Sequence, residues 1–279
     1  MEGWEIPNAP TSIPNLKSAR SAAASDLVNA QVESVNIVGY NTVNLRAGYN
    51  LIGLNWEGVG ANDGSISVSD LFDNTALTPY DSDSGVFKDY IWVWDNGAGG
   101  YTTRYGYVNI EDDPTYKNVW VDVTDGEFTP VDVVFSAGDS FWLYCTSATN
   151  NVAFMGQVCT ATSFASQTLS AGYNMLGNPY PTTMSVGTDI TFTNLTPYDS
   201  DAGVFKDYIW LWDNTVGGYT TRYGYVNIED DPTYKNVWVD VTDGEFTPVV
   251  PTIAPNSGFW FYSVSSALTK TATYTAKSF

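Results

Sequence analysis

Histidine is absent from this chain. That removes the commonest general base, the commonest zinc and copper ligand, and the Ser–His and Cys–His nucleophile pairs. Any catalytic reading rests on carboxylates alone. Basic residues are scarce too: 11 Lys and Arg stand against 31 Asp and Glu, a formal net charge of −20. Nucleic-acid binding works by neutralising phosphates with Lys and Arg, so no nucleic-acid partner is expected, nor an anionic membrane surface. No run is long and apolar enough to span a bilayer, so no membrane insertion is expected. The opening residues also lack the basic-then-apolar layout of a secretory signal. Either a signal has been removed ahead of this numbering, or the protein is not exported by that route. Low lysine content and abundant Thr, Asn, Gly and Tyr favour the first, and with it an extracellular or cell-surface location.

Cysteine is nearly absent, with only Cys145 and Cys159. FWLYC and VAFMGQVC read as two strands joined by the loop TSATNN. That hairpin would set the sulfurs side by side, so a Cys145–Cys159 disulfide is expected; the alternative is two buried free thiols.

What the chain does have is a duplication. Residues 78–131 recur at 196–249 with a constant offset of 118 (196 − 78). The copies differ only at Ser84/Ala202, Val93/Leu211, Gly97/Thr215 and Ala98/Val216. Repeats of this kind suit a surface that works by multiplicity better than a single catalytic site. Residues 1–34, rich in Ala, Ser, Asn and Pro, read as an extended arm or linker, with a short helix near 21–30. From Val35 onward the pattern is strand, turn, strand. Val86–Trp94 and Tyr101–Ile110 flank the turn DNGAGG as a hairpin. The expected fold is all-β: an arm followed by two tandem β-sandwich, jelly-roll-like domains at 35–164 and 165–279.

A strand of similar pattern recurs at 36–40, 160–164 and 275–279, so the chain reads as strand–unit–strand–unit–strand. One outer copy would be surplus in an isolated molecule. Val35, Asn36, Ile37, Val38, Gly39 and Tyr40 are then candidates to add to a neighbour's open sheet edge. The alternative is that they pair within their own domain.

Two clusters carry possible chemistry. The turns Asp81-Ser82-Asp83 and Glu111-Asp112-Asp113 recur as Asp199-Ser200-Asp201 and Glu229-Asp230-Asp231. Brought together, each pair of turns would offer oxygen ligands for calcium. They read equally as solvated turns, since Asp suits that backbone geometry. A carboxylate pair for glycoside hydrolysis is a weaker reading, because two copies lie in turns. The second cluster is aromatic. Tyr90, Trp92 and Trp94 line one strand face, and Tyr208, Trp210 and Trp212 repeat it. Such rings stack on sugars, or they fill a core or domain interface.

The segments AGYNMLGNPYPTTM, YIWLWDNTVGGYTT and NSGFWFY resemble β-rich modules of secreted bacterial surface proteins, which read AGWNLIGNPYP, then Y-x-W-D, then G-F-F. The first unit departs at Leu54-Asn55-Trp56. The resemblance implies export and a surface setting, and it brings no catalytic residues. The sequence therefore predicts a non-enzymatic extracellular structural protein. Its subunits would join copies of themselves head to tail into a filament or layer through the N-terminal strand. The alternative is a calcium-assisted adhesin that binds glycans.

Overall fold

The computed structural model describes residues 38–59, 64–124, 126–159, 166–242, 244–264 and 267–277. The expected arm, 1–34, and Val35, Asn36 and Ile37 lie outside the described residues. Asn36–Phe279 forms one compact unit, and it is all-β.

In its first half the strands are β1 (Val38–Leu45), β2 (Gly48–Gly53) and β3 (Ser65–Ser67), then the short helix α1 (Val68–Leu71) and a 3-10 turn (Asn74–Ala76). There follow β4 (Tyr90–Asp95), β5 (Gly100–Val108), β6 (Val119–Asp122), β7 (Thr129–Val131), β8 (Val134–Ser136), β9 (Ser140–Cys145) and β10 (Thr149–Gln157). The second half holds β11 (Ser166–Leu169), β12 (Gly172–Gly177), β13 (Met184–Ser185), β14 (Ile190–Phe192), β15 (Tyr208–Asp213), β16 (Gly218–Val226), β17 (Val237–Asp240), β18 (Thr247–Val249), β19 (Thr252–Ile253), β20 (Gly258–Ser263) and β21 (Lys270–Tyr274). Each half has a six-stranded antiparallel sheet, β2-β9-β4-β5-β6-β7 and β12-β20-β15-β16-β17-β18. Smaller groups, β1-β10 and β3-β8, then β11-β21-β14 and β13-β19, complete the set.

The hairpins follow from local chemistry. The Asp95 carboxylate accepts the N–H groups of Gly97 (2.7 Å) and Ala98 (2.9 Å), and Gly99 takes φ 65° to close the turn. An Asp that caps its own turn and a glycine in left-handed geometry suit this job. Asp213 binds Thr215 and Val216 in the same way. Two of the four differences between the copies thus sit at a turn tip without changing the turn.

The inward faces of the sheets build two cores. Ile52, Ile91, Phe141, Leu143, Tyr107 and Trp120 pack with Leu45, Val152 and Phe154 of β1 and β10 and with Ile66 and Phe135 of β3 and β8. Leu176, Ile209, Trp238, Phe259 and Phe261 pack with Leu169, Ala272 and Tyr274 and with Met184 and Ile253. Each large apolar side chain withdrawn from water contributes about 1.5–3 kcal/mol before conformational entropy is counted.

Two expectations need correction. Val38, Gly39 and Tyr40 are not surplus: they pair with Gln157, Gly156 and Met155 of their own chain. The long edge of β10 satisfies them with no association cost. In the second half β11 pairs with β21, Leu169 facing Lys270. Each half thereby pairs its opening strand with one of its own later strands. Thr160–Phe164 lies outside the described residues, and β21 ends before Thr275.

The disulfide is also absent: Cys145 and Cys159 are buried free thiols. The two segments do not form the expected hairpin, because β9 pairs with β2 and β4 while β10 pairs with β1. Cys145 enters the first core and Cys159 the second. Burial pushes each thiol pKa up to about 12, helped by the charge of Asp89 at Cys145 and of Glu57 at Cys159.

Candidate functional site

The outer faces of the two large sheets meet. Leu51, Trp142, Met175 and Trp260 form a buried cluster, with Trp92, Trp94, Tyr173, Trp210 and Trp212 packed around it. The contact is reciprocal. Trp94 meets Trp260 edge-to-face at 4.9 Å, and Trp212 meets Trp142 at 4.7 Å, both at 89°.

Each hairpin tip also reaches across. Asn96 accepts the Met175 N–H (2.7 Å) and donates to the Met175 carbonyl (3.2 Å). Asn214 does the same to Leu51, at 2.8 and 3.1 Å. An amide side chain thus replaces a missing strand on edge strands β12 and β2. Gly53 and Gly177 permit close backbone approach: a Cβ on either would lie 2.3 Å from a carbonyl oxygen, that of Ser257 or Asp139 respectively.

A cleft of about 430 Å³ opens beside this contact, lined by Tyr49, Trp92, Tyr101, Trp142 and Trp212. Of the six rings expected as a platform, Trp92 and Trp212 line it. Trp94 is spent on the contact, where its indole N–H donates to the Tyr173 carbonyl (3.2 Å). Trp210 is stacked on Tyr219 at 4.4 Å, whereas Trp92 and Tyr101 stand edge-to-face at 5.7 Å. Tyr90 and Tyr208 offer no free face. Each lies between a stacked tyrosine (Tyr144, Tyr262) and a guanidinium 4.4 Å from its centroid (Arg104, Arg222). Burial first, then a phenol partner (Tyr49, Tyr173), raises the pKa of both. Tyr49 and Trp142 are lining residues that the strand pattern did not single out. Cross-strand register places them there, and no local motif reports it.

The acidic turns do not converge. Asp81 accepts the N–H groups of Asp83 and Ser84 and pairs with Lys88 at 3.2 Å. The hydrogen bonds from Ser84, then the Lys88 ammonium, hold its pKa down to about 2. Asp199 does likewise with Asp201, Ala202 and Lys206. Glu111 and Glu229 pair with Lys117 and Lys235 at 2.8 Å. Asp113 and Asp231 cap Thr115 and Thr233, and Asp83, Asp112, Asp201 and Asp230 point to solvent. Small aromatic pockets, bounded by Tyr80, Phe87, Ile110 and Tyr116 and by their copies, sit by these turns. Among the described residues no three acidic or sulfur ligands group around a cation position.

The halves differ most where α1 lies. In the first, α1 packs on β10 and β3 with Leu71 and Phe72 buried, and Asn74 accepts the Trp120 indole N–H at 3.3 Å. In the second, Val186 occupies the place of Val68, each donating its N–H to the carbonyl before β19 or β8, Pro251 and Val133. There the chain turns at Gly187 (φ 93°) and enters β14, which pairs with β21. Among the described residues no helix follows Val186. An apolar groove of about 660 Å³ remains, lined by Val186, Thr191, Phe192, Trp238, Val249 and Val250 among others. Compared with known proteins, the chain matches no family model, no curated relative and no solved structure.

Proposed function

We propose that this is an extracellular structural protein whose copies join end to end into a filament or layer. The observation that carries this reading is the inequality of two otherwise near-identical halves. The first closes its groove with its own α1 and 3-10 turn; the second leaves the same place open, with Val249 and Val250 exposed beside Trp238. An apolar surface that one copy of a fold covers and the other leaves bare suits a contact between molecules. A contact between unlike surfaces that does not close produces an open polymer. The sequence resemblance to secreted surface modules supports the setting. The assembling segment is then not Val38–Tyr40, which are paired at home.

The test is Val250→Asp. The first half carries Asp132 at this position, so the fold accepts the change. Electron microscopy of the full chain is expected to show polymers, and Val250→Asp to leave folded monomers. Uniform monomers of the unaltered chain at every concentration would sink the reading.

One observation favours a second reading. The cleft of Tyr49, Trp92, Tyr101, Trp142 and Trp212 has the ring surfaces and size for a sugar ring. Binding on a glycan array that Trp92→Ala abolishes and Val250→Asp spares would establish an adhesin.

A further inference from the structure

Resting on the second, glycan reading of the aromatic cleft, we infer that its ligand is a hexuronate-bearing glycan, the rings holding a sugar face and Arg104 holding a carboxylate. The first observation is how the cations are used. Every lysine among the described residues is paired with a carboxylate: Lys88, Lys117, Lys206, Lys235, Lys270 and Lys277. Among the same residues, Arg46, Arg104 and Arg222 have no ion pair and no side-chain hydrogen bond. Nε of Arg104 and of Arg222 is buried without a partner. In a chain with 31 acidic residues, a guanidinium held away from all of them leaves its donors to water or to a ligand.

The second observation is where these arginines stand. Arg104 pairs across the sheet with Trp92, one wall of the cleft, and its guanidinium lies 5.8 Å from that ring's centroid. It lies 4.4 Å from Tyr90, whose hydroxyl is 3.2 Å from that of Tyr49, a second wall. A guanidinium stacked on a ring uses its face and keeps its edge, where the N–H fork fits a carboxylate with two parallel bonds. Arg46 reaches the hairpin that carries Trp212: a Cβ on Gly217 of its turn would lie 1.0 Å from a guanidinium nitrogen. The third observation is the second half, where the rings recur as Tyr173, Trp210, Tyr219 and Trp260. There Trp210 stacks on Tyr219 at 4.4 Å, with planes 30° apart, and Ser170 replaces Arg46. In the first half Trp92 and Tyr101 stand edge-to-face at 5.7 Å, and both line the cleft. One copy of the sequence thus opens beside two arginines, while the other packs its rings on one another. A neutral sugar would use the rings and not the guanidinium. The −20 charge repels an anionic chain, but at 0.15 M salt that repulsion reaches only about 8 Å, and Arg104 acts at contact.

The test titrates the full chain, by calorimetry, with a galacturonate tetrasaccharide and with its methyl ester, which keeps the ring faces and removes the charge. The acid is expected to bind at one site per chain, and the ester about ten-fold more weakly, the scale of one hydrogen-bonded charge pair. Arg104→Gln is expected to bring the acid down to the ester's affinity and to leave the ester unchanged, with Arg104→Lys between. Arg46→Ser, which copies the second half and so suits the fold, is expected to weaken the acid alone. Trp92→Ala is expected to weaken both ligands.

Equal affinity of the unaltered chain for acid and ester would overturn the inference and leave the glycan reading standing; that comparison needs no variant to fold. An Arg104→Gln chain, folded by circular dichroism, that keeps the preference for the acid would also overturn it. Binding of neither ligand would remove both the inference and the reading beneath it.

Discussion

Asp207 and Lys270 show how one residue separates two copies of a site. Both are buried, and the ammonium lies 2.6 Å from the carboxylate. Asp207 also accepts the N–H groups of Thr196 and Val264. Its copy Asp89 accepts those of Thr78 and Thr146, but Thr149 faces Leu45 where Lys270 faces Leu169. Removing one partner of a buried pair leaves the other charge uncompensated, at a cost of about 3–5 kcal/mol. Lys270→Met is therefore expected to lower the unfolding free energy measured in urea by that amount. Lys270→Thr, which copies the first half, is expected to lose less. Equal losses would show that the first half's arrangement does not transfer. The thiols carry a second expectation at this scale. Both are expected to resist iodoacetamide in the folded protein and to react fully in urea without reductant, since neither is oxidised. Their folded pKa values are raised above an unfolded value near ~8.5. The stability they contribute is therefore complete below about that pH and is lost as pH rises toward about 12.

At the scale of elements, the crossing hairpins hold the two halves together. Asn96→Ala removes both bonds to Met175 and leaves the edge N–H of β12 facing an alanine. A buried donor left unmet costs about 1–3 kcal/mol. Asn214→Ala is expected to cost the same against Leu51, because the geometry is reciprocal. A loss in only one variant, measured by urea unfolding, would refute that equivalence. These elements were legible in the sequence to different depths. The β4–β5 hairpin was readable because alternation and an Asp-Asn-Gly turn are local signals. The face carried by Trp92 and Trp94 was readable from period two, but what covers it was not. Periodicity reports which residues share a face, and the partner comes from register and packing. The disulfide failed for the same reason. The loop after Cys145 is short enough for a hairpin, yet β10 finds β1, more than a hundred residues away. The groove was the least legible. Its segments in the two halves have equal length but differ at four successive positions, Ser69–Phe72 against Gly187–Ile190.

For the whole molecule, charge sets the terms of association. A chain with net charge −20 repels its copies, and the groove offers apolar surface rather than ion pairs. Raising salt shortens the reach of the repulsion, from about 30 Å at 0.01 M to about 8 Å at 0.15 M, without weakening an apolar contact. Assembly followed by light scattering is therefore expected to quicken between those two concentrations. A contact made of ion pairs would slow instead. Divalent cations sharpen the comparison. Asp81 and Glu111 are already engaged by Lys88 and Lys117, and their copies by Lys206 and Lys235. Calcium and magnesium at equal ionic strength are thus expected to give equal rates, and EDTA to leave polymers intact. A rate specific to calcium would mean that the acidic turns rearrange and release their lysines, at which point Asp81→Asn should abolish the difference.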